Sequence, residues 1–181
     1  MNVVLIGYRC TGKTSVGRLL AERLGMQFVD SDERVAAGAG MTIQEIFASE
    51  GEAAFRRREA RAIAEAVRGG RRVVSTGGGA VLRMQTVSRL RREGVVVWLE
   101  GSVRTIARRM KADAKTAAQR PRLATGTLEE EVSEVLARRE PLYRRAADVS
   151  VSTEGRTIAE VVEAVIAALS GTTLGVKLRR R

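Results

Sequence analysis

Residues 7–14 read Gly-Tyr-Arg-Cys-Thr-Gly-Lys-Thr, which satisfies the spacing G-x-x-x-x-G-K-[ST], and they follow directly on the apolar run Val3-Val4-Leu5-Ile6. The context supplies the chemistry. A glycine-rich turn between a strand and a helix aims backbone N–H groups and the positive end of the helix dipole at one point, where phosphate sits. In such a loop Lys13 reaches the β- and γ-phosphates, and the Thr14 hydroxyl takes a position on magnesium. These residues imply a site for a nucleoside triphosphate.

Magnesium also calls for a carboxylate, commonly at the end of another strand. The run Val73-Val74-Ser75-Thr76 ends in Gly77-Gly78-Gly79 and offers no acid, whereas Phe28-Val29-Asp30-Ser31-Asp32 offers two. Residues two apart on an extended chain share a face, so Asp30 and Asp32 are expected to look into one cleft. The alternative is that Ser31 or Asp32 caps a short helix. The triple glycine lets a backbone approach a substrate closely, although it also reads as a plain turn.

Among the arginines, Arg139 continues the apolar stripe Val132, Val135, Leu136 at helical spacing. A charge on an inward stripe needs a partner. A bound carboxylate would serve, or the side chain could snorkel past the helix end. In Phe-Arg-Arg-Arg-Glu at 55–59, a turn of about 100° per residue lets only one or two of Arg56, Arg57 and Arg58 face a given site. Periodicity does not choose among them. Arg120 precedes Pro121 inside the polar, basic stretch 111–126, which reads as a lid; an ordinary surface arginine is the other reading.

These groups need a frame. Strands are expected near 2–6, 27–30, 72–76, 95–99 and 148–152. Helices are expected near 13–24, 42–48, 51–67, 84–93, 102–110, 128–140 and 156–169. The alternation is that of a parallel α/β sheet. With 181 residues, 44% of them hydrophobic, the chain suits one domain over about 1–169, followed by a frayed basic tail at 170–181. One cysteine and no histidine exclude a disulfide framework, a zinc cluster and any imidazole base. The net charge is +11, and only four of the 32 basic residues are lysine. Arginine's planar fork grips carboxylate and phosphate at two points. Six aromatic residues give little for stacking bases, so small anions are expected as ligands and nucleic acid is not. No segment reads as a membrane span or signal peptide, and a cytoplasmic protein is expected.

At this point the residues resemble those of the shikimate kinase family. The likeness covers about 2–169 and rests on GYRCTGKTSVGR at 7–18, DSD at 30–32, GEAAFRRRE at 51–59, GGGAV at 77–81, RPRL at 120–123 and REPLYRRAAD at 139–148. Their order and spacing together are specific. Two departures stand out: Cys10, where the family usually has a smaller residue or proline, and RPRL in place of RPLL.

The resemblance implies a P-loop NTPase fold. It would be an adenylate-kinase-like three-layer α/β/α arrangement on a five-stranded parallel sheet of order 2-3-1-4-5, with a helical substrate-binding insertion (about 32–61) and a lid (about 111–126). It implies a magnesium-dependent transfer of the ATP γ-phosphate to the 3-hydroxyl of shikimate, by a monomer. Residue by residue, Cys10, Thr11, Gly12, Lys13, Thr14 and Ser15 would wrap the phosphates, with Lys13 on the transferred group. Thr14 and Asp30 would serve the metal. Asp32 would hold the shikimate hydroxyls and accept the proton. Arg56 and Arg139 would clamp the carboxylate, and Gly78 would contact the same substrate. Arg120 would reach the phosphates, and Arg156 would lie beside the adenine. Related kinases of gluconate or nucleoside monophosphates are the nearest alternatives, and a basic nucleic-acid-binding NTPase is a more distant one.

Overall fold

The apolar runs of the chain become the strands of one sheet: β1 (Asn2–Ile6), β2 (Gln27–Asp30), β3 (Arg72–Ser75), β4 (Gly94–Glu100) and β5 (Val149–Ser152). The order is β2-β3-β1-β4-β5 and every pairing is parallel, as the resemblance implies. The computed structural model describes residues 1–113 and 127–172. Arg120, most of the expected lid and the tail beyond residue 172 lie outside them.

Burial on both faces explains why β1 and β4 are nearly continuous valine and leucine. Along β1, Val3 and Leu5 face one side and Val4 and Ile6 the other. The first side packs against α1 (Lys13–Leu24) and α7 (Ile158–Ser170) through Val16, Leu20, Val162 and Val165. The second packs against α3 (Ile43–Ala66), α4 (Met84–Glu93) and α6 (Leu128–Ala146) through Ile63, Leu90 and Tyr143. Two satellite cores complete the frame. One joins α5 (Val103–Ala112) to α6, and the other joins α2 (Ser31–Ala39) to α3.

Local signals account for most helix boundaries. Thr42, Thr127 and Thr157 each open a helix with a full capping box to Glu45, Glu130 and Glu160, which satisfies two otherwise orphaned N–H groups apiece. Five features differ from expectation. The helix α2 was weighed only as the alternative to an extended segment at 30–32. The expected break between two helices at 48–51 is instead a kink within α3 at Gly51, whose φ of 77° leaves helical space. Lys111 and Ala112 carry α5 past its expected end at 110, and Ser170 closes α7. Helix α6 runs through Pro141 to Ala146, past the expected end at 140. Proline costs a backbone hydrogen bond in a helix interior, but Tyr143 and Ala146 beyond it are fully sunk in the core against Trp98. Burial outweighs the lost bond. Among the described residues no helix is long and apolar enough to cross a membrane.

Candidate active site

The carboxyl ends of β1, β2 and β3 converge where open α/β sheets bind ligands, and two adjoining clefts open there. The first is lined by Cys10, Gly12, Lys13, Thr14 and Ser15 of the loop, with Asp30, Asp32 and Gly78. The loop holds its shape through a backbone that tolerates no side chain at Gly7: a Cβ there would lie 2.5 Å from the Leu99 carbonyl oxygen, and φ is +141°. Thr11 turns its hydroxyl inward onto the Tyr8 carbonyl at 2.8 Å. Lys13 folds over the loop, its Nζ donating to the carbonyls of Gly7 (2.9 Å) and Tyr8 (2.6 Å).

Asp30 joins two helices. One carboxylate oxygen accepts from the N–H groups of Asp32 and Glu33, capping α2, and the other accepts from Thr14 Oγ1 at 2.9 Å. Asp30 and Asp32 are therefore not paired along an extended chain as expected. β2 ends at Asp30 and Asp32 sits in the first turn of α2, so Asp30 itself is the cap, where Ser31 or Asp32 had been the alternative. Both carboxylates still line the first cleft. Ser31 Oγ instead accepts from the Gly77 N–H at 3.1 Å, fastening α2 to the glycine turn.

The second cleft is lined by Asp32, Arg56, Glu59, Gly78, Gly79 and Arg139 on its polar side. Ile43, Phe47 and Phe55 form its apolar wall, the two phenyl rings lying 4.6 Å apart. Tertiary structure chooses among the three arginines. Arg56 enters the cleft, Arg57 is exposed, and Arg58 turns away to Glu50 at 2.8 Å. Arg56 is held by Glu59 at 2.8 Å and Glu52 at 3.1 Å. Burial works against its charge, but the two carboxylates more than offset that and raise its pKa above the ordinary value. Arg139 donates to the Gly78 carbonyl at 3.3 Å, and Tyr143, one turn further along α6, donates to the same oxygen at 2.6 Å. Burial pushes the Tyr143 hydroxyl well above its usual pKa, so it remains a proton donor.

A third groove flanks the loop on its outer side and holds Cys10, Thr11, Ser15, Arg109, Thr153 and Arg156. Arg156 is exposed and donates to the Ser152 carbonyl at 3.2 Å. Arg109 was not singled out from the sequence, yet it bridges the loop and the residue that follows β5 by donating to the Cys10 carbonyl at 3.4 Å and to Thr153 Oγ1 at 3.0 Å. Glu59 was also passed over. Its three-residue offset from Arg56 was a legible signal, since such pairs meet on a helix. Nothing local marks Arg9 and Glu131, which pair across 122 residues with both side chains buried.

Known proteins share both sequence and architecture with this chain. The family model described as shikimate kinase matches residues 9–170. A shikimate kinase of Symbiobacterium thermophilum is 45% identical over 92% of this chain and 94% of its own length. One of Thermodesulfovibrio yellowstonii is 44% identical over 91% of this chain and 92% of its own. Among solved structures, a shikimate kinase from Acinetobacter baumannii in complex with shikimate superposes with a TM-score of 0.88, at 33% identity over 96% of this chain and 94% of that one.

Proposed function

Because the chain belongs to the shikimate kinase family, we propose that it transfers the γ-phosphate of ATP to the 3-hydroxyl of shikimate, giving shikimate 3-phosphate and ADP. The observation that carries this reading is the meeting of a phosphate cleft and an arginine-lined acceptor cleft across three shared residues, Arg9, Asp32 and Gly78.

The acceptor cleft suits a small cyclic acid. Arg56 and Arg139 offer guanidinium groups for a carboxylate, and Phe47, Phe55 and Ile43 offer an apolar wall for a ring. With the carboxylate gripped, the hydroxyl is presented towards the phosphate cleft, and the entropy of orientation is met by binding. The hydroxyl oxygen attacks the γ-phosphorus, the bond to the β–γ bridging oxygen breaks, and its electron pair leaves with ADP. Asp32 lines both clefts and accepts the hydroxyl proton, a role that falls to a carboxylate in a chain without histidine.

Lys13 neutralises the transferred group, and the loop amides from Cys10 to Ser15 hold the β-phosphate. The resemblance assigns Arg120 to the phosphates and Arg156 to the adenine side, and Arg109 in the same groove joins that assignment. The family's use of ATP calls for a divalent metal, which we take to be Mg2+. The residues fit it: a hydroxyl and a carboxylate, Thr14 and Asp30, adjoin at the loop's end, and no cluster of three or more protein ligands occurs among the described residues. Such sparse oxygen ligation is what Mg2+ accepts beside phosphate. When bound it supplies positive charge to the phosphate oxygens. We take the enzyme to act as a monomer.

ADP release measured with shikimate, gluconate and nucleoside monophosphates tests the proposal. Turnover confined to shikimate is expected. Comparable turnover of a sugar acid or nucleotide would overturn it.

A further inference from the structure

Phosphoryl transfer takes place where the two clefts meet, so the residues lining both of them are the ones that face the moving group. Those are Arg9, Asp32 and Gly78. Lys13 lines only the phosphate cleft, and Arg56 and Arg139 only the acceptor cleft. Arg9 is therefore the one cation at the junction among the described residues.

Its setting is built. The Arg9 side chain is 8% exposed and its Nη2 donates to Glu131 Oε1, on a side chain with no exposure at all. Its guanidinium lies 5.7 Å from the centre of the Tyr8 ring. Arg9 Nε is buried and has no acceptor among the described residues. A guanidinium carries five N–H donors in a rigid fork, so one edge can be held by a carboxylate while the remainder meets a ligand. Glu131 lines neither cleft and holds Arg9 from behind.

We infer that Arg9 is a further catalytic residue, a guanidinium that stabilises the γ-phosphoryl group as it crosses between the clefts, and that Glu131 is its positioning residue. This rests on the kinase reading above. Charge on the equatorial oxygens of the phosphoryl group is spread widely in the transition state, and fixed cations there accelerate transfer without tightening ground-state binding.

The opposing account is an ion pair that merely ties the loop to α6. Removing Arg9 alone strands a buried carboxylate and risks misfolding, whereas replacing both members of a buried pair by apolar residues is often neutral. The decisive variant is thus the double substitution Arg9→Met with Glu131→Leu, compared with Arg9→Lys, which keeps a charge for Glu131 but loses the fork. Steady-state kinetics on folded protein should show kcat lowered about 100-fold in the double variant and about tenfold in Arg9→Lys, with KM for shikimate and for ATP changed less than about threefold. Affinity for ADP with aluminium fluoride and shikimate, a mimic of the planar phosphoryl group, should fall in step while affinity for ADP alone holds. Wild-type kcat in the folded double variant overturns the inference, as does a rise in shikimate KM at unchanged kcat. If the double variant does not fold, wild-type kcat in Arg9→Lys overturns it. Turnover of shikimate by the unsubstituted enzyme tests the kinase reading separately.

Discussion

Thr14 Oγ1 donates to Asp30 Oδ2 at 2.9 Å, so the first turn of α1 and the cap of α2 share one carboxylate. Asp30 thereby has two separable duties, helix capping and metal support. Asn caps as well as Asp, and Ala loses about 1 kcal/mol at such a position. Asp30→Asn should therefore keep the melting temperature within a few degrees while raising the Mg2+ concentration for half-maximal activity about tenfold. Asp30→Ala should lose both. An unchanged Mg2+ requirement in Asp30→Asn would remove Asp30 from the metal's surroundings.

Arg139 reaches the acceptor cleft from α6. Hydrogen bonds to a charged group contribute about 1.5–3 kcal/mol each, so Arg139→Ala should raise the shikimate KM by roughly 10- to 100-fold. The ATP KM should stay within about twofold, because Arg139 does not line the phosphate cleft. Arg139→Lys should recover only part of the loss, since a point charge cannot replace a planar fork. A parallel rise in both KM values would point to misfolding or a shared role.

Two glycines of the turn separate the duties of the site. A Cβ on Gly79 would come 2.1 Å from Arg56 Nη1, and one on Gly77 would come 2.5 Å from Glu59 Oε1 and 2.7 Å from Asp32 Oδ1. All three are ends of flexible side chains, so the fold should survive while the site shifts. Gly79→Ala should chiefly raise the shikimate KM, and Gly77→Ala should chiefly lower kcat, each by at least about tenfold. ADP binding by calorimetry should be unaltered in both. Wild-type kinetics in either would mean that the clash is relieved without moving the functional group.

Acid should weaken the fold through its helix caps. Glu45, Glu130 and Glu160 have pKa values lowered from 4.5, first by the backbone N–H of the capping threonine and then by its hydroxyl. A carboxylate depressed in the folded state contributes stability that is fully present above the unfolded pKa and is lost as pH falls through the folded one. Melting temperature should thus be level above about pH 5 and decline below about pH 4.5. Replacing the three with Gln keeps the capping geometry and should flatten that decline. An identical acid profile in the triple variant would assign it to other carboxylates.

Much of the site was legible in the chain because it is local. The loop at 7–14 lies within a single strand–turn–helix unit, and the short-range spacing of Gly, Lys and Thr carries its chemistry. The capping box of Thr127 with Glu130 and the apolar stripe of α7 are equally local, being set by neighbours three or four residues away. The stop placed before Pro141 failed for the opposite reason. Proline's local penalty was visible, whereas the burial of Tyr143 against Trp98 that overrides it joins residues far apart in the chain.

By itself, then, the sequence determined the alternation of elements, the phosphate loop, the exclusion of imidazole chemistry and, through the order of its motifs, the family. The resemblance had named Arg56, but only the tertiary structure turned it into the cleft while Arg57 and Arg58 point elsewhere, made Asp30 a cap as well as a candidate metal support, and brought Arg9 to Glu131. The physical reason is range. Helix caps and turns are decided within a few residues, but which face of a helix looks into a cleft depends on how it packs on a sheet whose neighbouring strands come from distant parts of the chain.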